Sequence, residues 1–125
     1  MGTNAAIVNS AYQAFAVGDI PTVIGMLTDD VTWVAPATLP QGGEFSGPDG
    51  VVKFFQGIGA TWSSLHLDIE SVGEIGDDKV VGIVRGQGEL TGGTPSGYGA
   101  VHVFGIRGGK IASFREFTNL DHAIS

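Results

Sequence analysis

The sequence contains no cysteine, which excludes disulfides, thiolate catalysis and cysteine-ligated metal sites. Basic residues are also scarce: six Lys and Arg against thirteen Asp and Glu give a net charge of −7. Nucleic acids and anionic membranes select for clustered basic residues, so neither is expected as a partner. No apolar run approaches about 18 residues, and the start of the sequence lacks the pattern of a secretory signal. These features predict a cytoplasmic protein without a membrane span.

Motifs that hold metals or cofactors are missing as well. The three histidines are scattered, and no His-x-His or His-Glu-x-x-His spacing occurs, so no metal site is predicted. The glycine-rich stretches lie within or between predicted strands rather than between a strand and a helix. They therefore form no phosphate-binding loop, and no cofactor is implied.

What is present is a hydrophobic content of 42% in 125 residues, which fits one globular domain spanning residues 1–125. Apolar residues recur at helical spacing in the first half of the chain, and they alternate with period two after Gly59. The patterns predict helices over Asn4–Val17, Ile20–Leu27 and from Asp49 onward, a strand over Val31–Ala35, a loop over 37–48, and then four antiparallel strands. This order is typical of an α+β domain whose curved sheet wraps around helices.

The last predicted hairpin carries the candidate site. Its two strands meet at Gly108-Gly109, a typical tight-turn pair. Alternation puts Tyr98, Ala100, His102, Phe104 and Ile106 on one face of the first strand, and Ala112, Phe114, Glu116 and Thr118 on one face of the second. If these faces coincide, His102 and Glu116 are ionisable groups among aromatic rings. An ordinary apolar face needs neither residue, so the hairpin is where function is expected.

Several segments resemble a known family when taken in order. They are Gly18-Asp19-Ile20 after the first helix, Leu27–Trp33, Phe45–Phe55, Gly109–Ile111 and Phe114–Phe117. This arrangement resembles the SnoaL-like group of the nuclear transport factor 2-like superfamily, which includes polyketide cyclases and is related to ketosteroid isomerases and limonene epoxide hydrolases. The resemblance implies a cone-shaped α+β barrel. In it, a strongly curved mixed or antiparallel sheet surrounds about three helices from the first half of the chain and encloses a deep apolar pocket. It also implies a homodimer.

Ketosteroid isomerases use three groups that this chain matches poorly. The position of their general-base aspartate corresponds to Ala35, and that of their oxyanion aspartate corresponds to His102. Their oxyanion tyrosine corresponds to Ala11, with Tyr12 one residue away and turned by about 100° on a helix. Two of the three roles are missing, so isomerisation by that set of residues is not expected.

Limonene epoxide hydrolases use an Asp-Arg-Asp network on neighbouring strands. The resemblance puts the arginine at Arg85 and one carboxylate at Glu116, whereas the other becomes Gln87, which cannot exchange a proton at neutral pH. The groups that hold the attacking water correspond to Trp33 and Ala35, which cannot hold it in the same way. Half of the network is therefore retained.

The combined prediction is a catalytic set of Arg85, His102 and Glu116, all pointing into the pocket. The residues predicted to line the pocket or bind substrate are Trp33, Ala35, Phe55, Trp62, Gln87, Phe104, Phe114, Thr118 and Tyr12. The expected activity is cofactor-free acid/base chemistry on a hydrophobic polyketide-, terpenoid- or steroid-like molecule: cyclisation, isomerisation, dehydration or epoxide hydrolysis.

Structural interpretations of the same residues stay open. Arg85 and Glu116 could form a buried ion pair without catalytic work, and His102 could be a hydrogen-bonded core residue. The whole chain could then be a non-catalytic ligand-binding protein or a dimerisation module with the same fold.

Overall fold

The computed structural model describes residues 3–36 and 42–118. The elements in this part of the chain follow the predicted order, with one additional short strand. The helices are α1 (Thr3–Ala16), α2 (Ile20–Gly25) and α3 (Gly47–Thr61). The strands are β1 (Leu27–Ala35), β2 (Gly43–Ser46), β3 (Trp62–Ile75), β4 (Lys79–Leu90), β5 (Pro95–Arg107) and β6 (Lys110–Thr118).

The helix boundaries follow from local chemistry. Gly18 ends the first helical segment in the left-handed region with φ 77°, where glycine has no steric penalty. Asp19 caps α2 and accepts hydrogen bonds from the backbone N–H of Thr22 at 3.3 Å and from its hydroxyl at 2.6 Å. The third helix starts earlier than predicted, with Ser46 as its N-cap, so Asp49 lies in the first turn. An acidic side chain there still stabilises the helix dipole.

The six strands in the described chain form one mixed sheet in the order β2-β1-β6-β5-β4-β3. β1 and β6 are parallel, and the other neighbours are antiparallel. The mixed sheet is confirmed, but it is open, with β2 and β3 as its edges, so it does not close into the predicted barrel.

The short strand β2 corrects the loop predicted over 37–48. Residues 43–46 pair with β1, and Phe45 stands opposite Trp33. A four-residue strand leaves almost no periodic signal, and it forms here because the β1 backbone is available for pairing. Residues 37–41 of the predicted loop lie outside the described residues.

The sheet curves around the helices. α3 contacts β1 and β2 at one edge and β3 at the other, whereas α1 contacts β3, β4 and β6. A flat sheet could not touch the same helices from both edges. The core fills the space between, and its fully buried members include Val8, Val31, Val51, Val80 and Ile111.

The hairpin of β5 and β6 has the predicted architecture. Gly108 and Gly109 have φ values of 60° and 79°, which a two-residue turn with positive φ at both positions requires. Across the hairpin, His102 lies directly opposite Glu116, and Phe104 lies opposite Phe114. The two faces therefore coincide, and a register shift between Gly105 and Ile106 brings them together; without it, the turn would set His102 opposite Arg115.

Candidate active site

A pocket lies between the inner face of the sheet and the helices. Its walls are mostly aromatic and aliphatic, with two tyrosines, one histidine and one glutamate as the polar members. The cavity measures about 60 Å³ and is lined by Ala11, Tyr12, Phe15, Val23, Trp33, Phe54, Phe55, Ile58, Leu65, Leu67, Tyr98, His102, Phe104, Phe114 and Glu116. Beside it, a groove of about 250 Å³ runs between α1 and β3 and shares Tyr12, Phe15, Leu65 and Leu67 with it. The predicted apolar pocket is present, and a larger groove adjoins it.

Three polar side chains in the pocket wall form a continuous chain of hydrogen bonds. The Tyr12 hydroxyl lies 2.8 Å from His102 Nδ1, and His102 Nε2 lies 2.9 Å from Glu116 Oε2. His102 and Glu116 are 4% and 5% exposed and are the buried polar or charged residues of the described chain. We call Tyr12, His102 and Glu116 the relay. Two of its members were predicted as catalytic residues and the third as a pocket residue.

The geometry constrains where the protons lie. An ionised Glu116 can only accept, so the 2.9 Å bond requires a proton on His102 Nε2. In a neutral imidazole, Nδ1 then accepts from the Tyr12 hydroxyl. When the imidazole gains a proton, Nδ1 donates to the Tyr12 oxygen instead, and the Tyr12 hydroxyl becomes free to donate into the pocket. The relay thus has two hydrogen-bonded states that differ by one proton.

Both tyrosines of the sequence line this pocket, and both resist ionisation. Burial is the main cause that raises the pKa of Tyr12 and of Tyr98, and the negative charge of Glu116 raises each pKa further. Tyr12 therefore stays protonated at neutral pH. Tyr12 can transfer its proton to His102 within the relay, but it does not persist as a tyrosinate.

Glycines on the inner face of β4 make room for the tyrosines. A Cβ atom at Gly82 would lie 2.3 Å from the Tyr12 hydroxyl, and one at Gly86 would lie 2.6 Å from Tyr98 Cε1. Gly82 stands opposite His102 in the β4–β5 pairing. The absence of a side chain at position 82 is what lets Tyr12 reach the imidazole.

The alternation of β4 corrects the prediction for Arg85 and Gln87. Val80, Gly82, Val84 and Gly86 are buried, whereas both predicted site residues are exposed on the opposite face. Arg85 Nε bonds Glu70 Oε2 at 3.1 Å, and both side chains are 48% exposed. The buried face of β4 is its glycine and valine face, because the space above it is taken by aromatic rings. Arg85 is therefore separated from Glu116 by the sheet, so it does not point into the pocket as predicted, and the alternative of a buried pair between them is also wrong.

The other predicted wall residues divide into two groups. Tyr12, Trp33, Phe55, Phe104 and Phe114 line the pocket. Ala35 and Trp62 are buried in the core, and Thr118 is half-buried at the end of β6; none of the three is among the lining residues.

Two features of the site were missed at the sequence level. Tyr98 lines the pocket, although it was predicted only to share a strand face with His102. Tyr12 was predicted to line the pocket, but its hydrogen bond to His102 was not predicted. The side chains of Ala11 and Tyr12 both reach the pocket, so the tyrosine at position 12 supplies the hydroxyl that the resemblance assigned to position 11. The alternation of β5 could have identified Tyr98, whereas the approach of Tyr12 depends on how α1 lies across β4.

Aromatic packing holds the relay in place. The rings of His102 and Phe114 have centroids 4.8 Å apart, and Phe114 stacks on Trp33 at 4.1 Å. The Trp33 indole nitrogen is a buried donor with no hydrogen-bond partner in the described chain. Buried donors are normally satisfied, which makes this one a candidate contact for a ligand oxygen.

The described residues contain no group of three or more His, Asp and Glu side chains that could hold a metal ion. No helix within residues 3–36 and 42–118 is both long and apolar enough to cross a membrane.

The family model of the SnoaL-like domain matches residues 8–114, so the match extends from α1 to the aromatic face of β6. The chain belongs to the SnoaL-like family. This confirms the resemblance drawn from the sequence segments. No curated protein is significantly similar to this family member.

Solved structures agree on the fold. An NTF2-like protein of unknown function from Burkholderia pseudomallei superposes with a TM-score of 0.87 at 24% identity, with 99% of this chain and 96% of that chain covered. A putative SnoaL-like polyketide cyclase from Jannaschia sp. gives 0.81 at 18% identity over 98% and 89% of the two chains. TerC, which was co-crystallised with polyporic acid, gives 0.79 at 24% identity over 98% and 95%. At these sequence identities, the structural similarity establishes a common fold.

Proposed function

We propose that this SnoaL-like protein is an enzyme that performs cofactor-free acid/base chemistry on a hydrophobic small molecule. The observation that carries the proposal is the buried relay of Tyr12, His102 and Glu116 at the wall of an apolar pocket. A buried histidine and glutamate are costly to keep in a core unless they are paired. Their hydrogen-bonded alignment with a pocket-lining hydroxyl supports a role in proton transfer.

The proposed step removes one proton from the substrate without forming a tyrosinate, through two coupled proton transfers. The Tyr12 oxygen accepts a proton from the substrate while the Tyr12 hydroxyl proton passes to His102 Nδ1. The resulting imidazolium is stabilised by the Glu116 carboxylate 2.9 Å away, and no atom beyond the transferred protons changes place. The reverse step returns the proton to another position of the substrate. This is general base followed by general acid catalysis by one set of residues.

The chemistry favours cyclisation or isomerisation through an enol, because both need a proton removed and returned in an apolar site. The names of two structural neighbours agree with such ligands: one is a putative polyketide cyclase, and the other was crystallised with polyporic acid. A polyketide-, terpenoid- or steroid-like molecule would suit the aromatic walls. Epoxide hydrolysis by the Asp-Arg-Asp route is disfavoured, since Arg85 and Gln87 lie on the other face of β4.

The test needs no knowledge of the natural substrate. An apolar enolisable ketone such as β-tetralone exchanges its acidic carbon-bound protons in D₂O, and NMR follows that exchange. The protein should accelerate the exchange, and Glu116→Gln and His102→Gln should each lose about 100-fold or more of that acceleration. Arg85→Ala, on the outer face, is the matched control and should keep it.

The same experiment separates catalysis from ligand binding. If the ketone binds the wild-type protein but the exchange is not accelerated, the pocket is that of a binding protein. If the acceleration persists in both relay variants, the relay is a structural network and the proposed mechanism is wrong.

The proposed quaternary structure is a homodimer that uses the outer face of the sheet. Val81 stands opposite Val103, Ile83 opposite Val101, and Val101 opposite Phe117. Ile83 and Phe117 are 39% and 48% exposed, so this face presents a contiguous apolar surface on which a second copy could pack.

A further inference from the structure

Tyr98 carries a pocket-lining hydroxyl that has no role in the relay. It lies on the inner face of β5, directly opposite Gly86 on β4, and its ring covers that glycine: a Cβ there would lie 2.6 to 3.1 Å from Cε1, Cζ and the hydroxyl. The ring of Trp62 packs near that of Tyr98, at a centroid distance of 6.0 Å. Cross-strand covering of a glycine needs an aromatic ring, but it does not need a hydroxyl.

The hydroxyl of Tyr98 makes no hydrogen bond to another residue of the described chain, whereas that of Tyr12 is held by His102. Tyr98 is half-buried and borders the apolar cavity. Loss of hydration at such a site is costly unless a partner is supplied. The negative charge of Glu116 raises the pKa of both tyrosines, so both hydroxyls lie within the range of this carboxylate.

The two hydroxyls lie at different points along the pocket, because the two tyrosines cover different glycines of β4. Tyr12 lies over Gly82, and Tyr98 lies over Gly86. Four residues of a strand span about 13 Å, which sets the separation of the hydroxyls on the order of 10 Å. Val84 and Ala100, which are apolar and buried, lie between these two positions in the strand register.

We propose that Tyr98 is a substrate-positioning residue: its hydroxyl binds an oxygen of the ligand at the end of the pocket away from the relay. The ligand class is then an elongated hydrophobic molecule with one oxygen function at each end. One end meets Tyr12, where the proton transfer occurs, and the other end is anchored by Tyr98. The inference rests on the proposed function, since it takes the relay as the reacting end.

Two rigid aromatic probes test this ligand class. The para,para′-biphenol molecule carries a hydroxyl at each end, and para-phenylphenol has the same skeleton with one hydroxyl. The wild-type protein should bind the biphenol about 2- to 10-fold more tightly, which is the effect of one additional hydrogen bond. In Tyr98→Phe, the ring remains over Gly86, and the variant should bind the two probes with about equal affinity.

Residue-specific NMR gives a second readout. Because the sequence has two tyrosines, labelling the hydroxyl-bearing ring carbon of tyrosine with ¹³C gives two resonances, and Tyr98→Phe assigns them. Biphenol should shift the Tyr98 resonance, and phenylphenol should shift it much less.

The proposal is overturned if wild type shows no preference for the biphenol or does not bind it. It is also overturned if Tyr98→Phe keeps the preference, or if the variant loses both probes equally, which would indicate a structural role of the ring. These readouts are binding measurements. A failure here alongside ketone exchange that depends on Glu116 would remove the role of Tyr98 and leave the proposed function intact.

Discussion

Gly82→Ala tests the relay through packing, without changing any of its three side chains. A Cβ atom at this position would lie 2.3 Å from the Tyr12 hydroxyl oxygen and 3.2 Å from Tyr12 Cζ. Such an approach is sterically forbidden, so the tyrosine ring has to move away from β4. The 2.8 Å contact between the hydroxyl and His102 Nδ1 then lengthens or breaks.

The expected magnitude follows from three contributions. Overfilling a packed site costs about 1–3 kcal/mol, and losing one buried hydrogen bond costs about 0.5–1.5 kcal/mol. Replacing glycine by alanine reduces the entropy of the unfolded chain and so stabilises the folded protein by about 0.4–1 kcal/mol. The free energy of unfolding should therefore fall by about 2 kcal/mol.

Two other glycines of the sheet provide matched controls. At Gly73 on β3, a Cβ would meet no atom within 4 Å, and the backbone φ is not positive, so Gly73→Ala should be neutral or slightly stabilising. At Gly105, the Cβ would lie 2.3 Å from Ser113 Oγ. That hydroxyl can rotate away, so Gly105→Ala should cost less than Gly82→Ala.

The assay is urea unfolding followed by tryptophan fluorescence, in a double-mutant cycle with Tyr12→Phe. Removing the hydroxyl leaves Cζ at 3.2 Å as the nearest atom to the new methyl group, a contact that a small shift relieves. The double variant should be more stable than the sum of the single effects predicts, by about 1 kcal/mol or more. Additive effects, or a cost for Gly82→Ala equal to that of Gly73→Ala, would refute the packing argument.

Four further predictions concern charge and exposed residues. Folding raises the pKa of Tyr98 above the value of about 10 in the unfolded chain, so the protonated phenol stabilises the fold fully below about pH 10. Above this pH the unfolded chain loses this proton first, and the free energy of unfolding should fall as pH rises. The fall should be less steep in Tyr98→Phe. In Glu116→Gln, the tyrosinate absorbance of Tyr12 and Tyr98 should appear at lower pH than in wild type, because the carboxylate charge that opposes ionisation is gone; an unchanged titration would contradict this. Arg85→Ala should change stability by less than about 1 kcal/mol, as expected for an exposed pair; a larger loss in urea unfolding would mean that the arginine supports the core. Phe117→Glu puts a charge on the proposed dimer face and should shift the protein towards monomer in analytical ultracentrifugation; a monomeric wild type would rule the dimer out.

The fold was largely predictable because its signals are local. Helical spacing in the first half, period two in the second half, and the Gly108-Gly109 turn each depend on residues close in sequence. The strand β2 and the parallel pairing of β1 with β6 depend on segments far apart in the chain. Nothing in the local pattern of those segments determines the pairing. The strand β2 was therefore not predicted, and the sheet was predicted as mixed or antiparallel without naming the parallel pair.

The prediction placed the site residues of the β5–β6 hairpin correctly on the inner face. It was wrong for the residues of the third strand, β4. His102 and Glu116 face each other because alternation puts each on the inner face of its strand, and a register shift between Gly105 and Ile106 brings the two faces opposite each other. Arg85 sits on a strand where both faces carry apolar residues, so alternation alone could not decide which face is inside. The choice follows from packing: glycines are the residues that leave room for Tyr12 and Tyr98.

The sequence by itself determined the family, the element order and the two ionisable residues of the hairpin, since these depend on periodicity and on turn chemistry. The tertiary structure alone decided that α1 crosses β4 at Gly82, and so delivers the Tyr12 hydroxyl to His102. It also decided that Arg85 faces outward. The physical reason is that hydrogen bonds between distant segments require a specific approach of backbones, and that approach is set by the packing of the whole core.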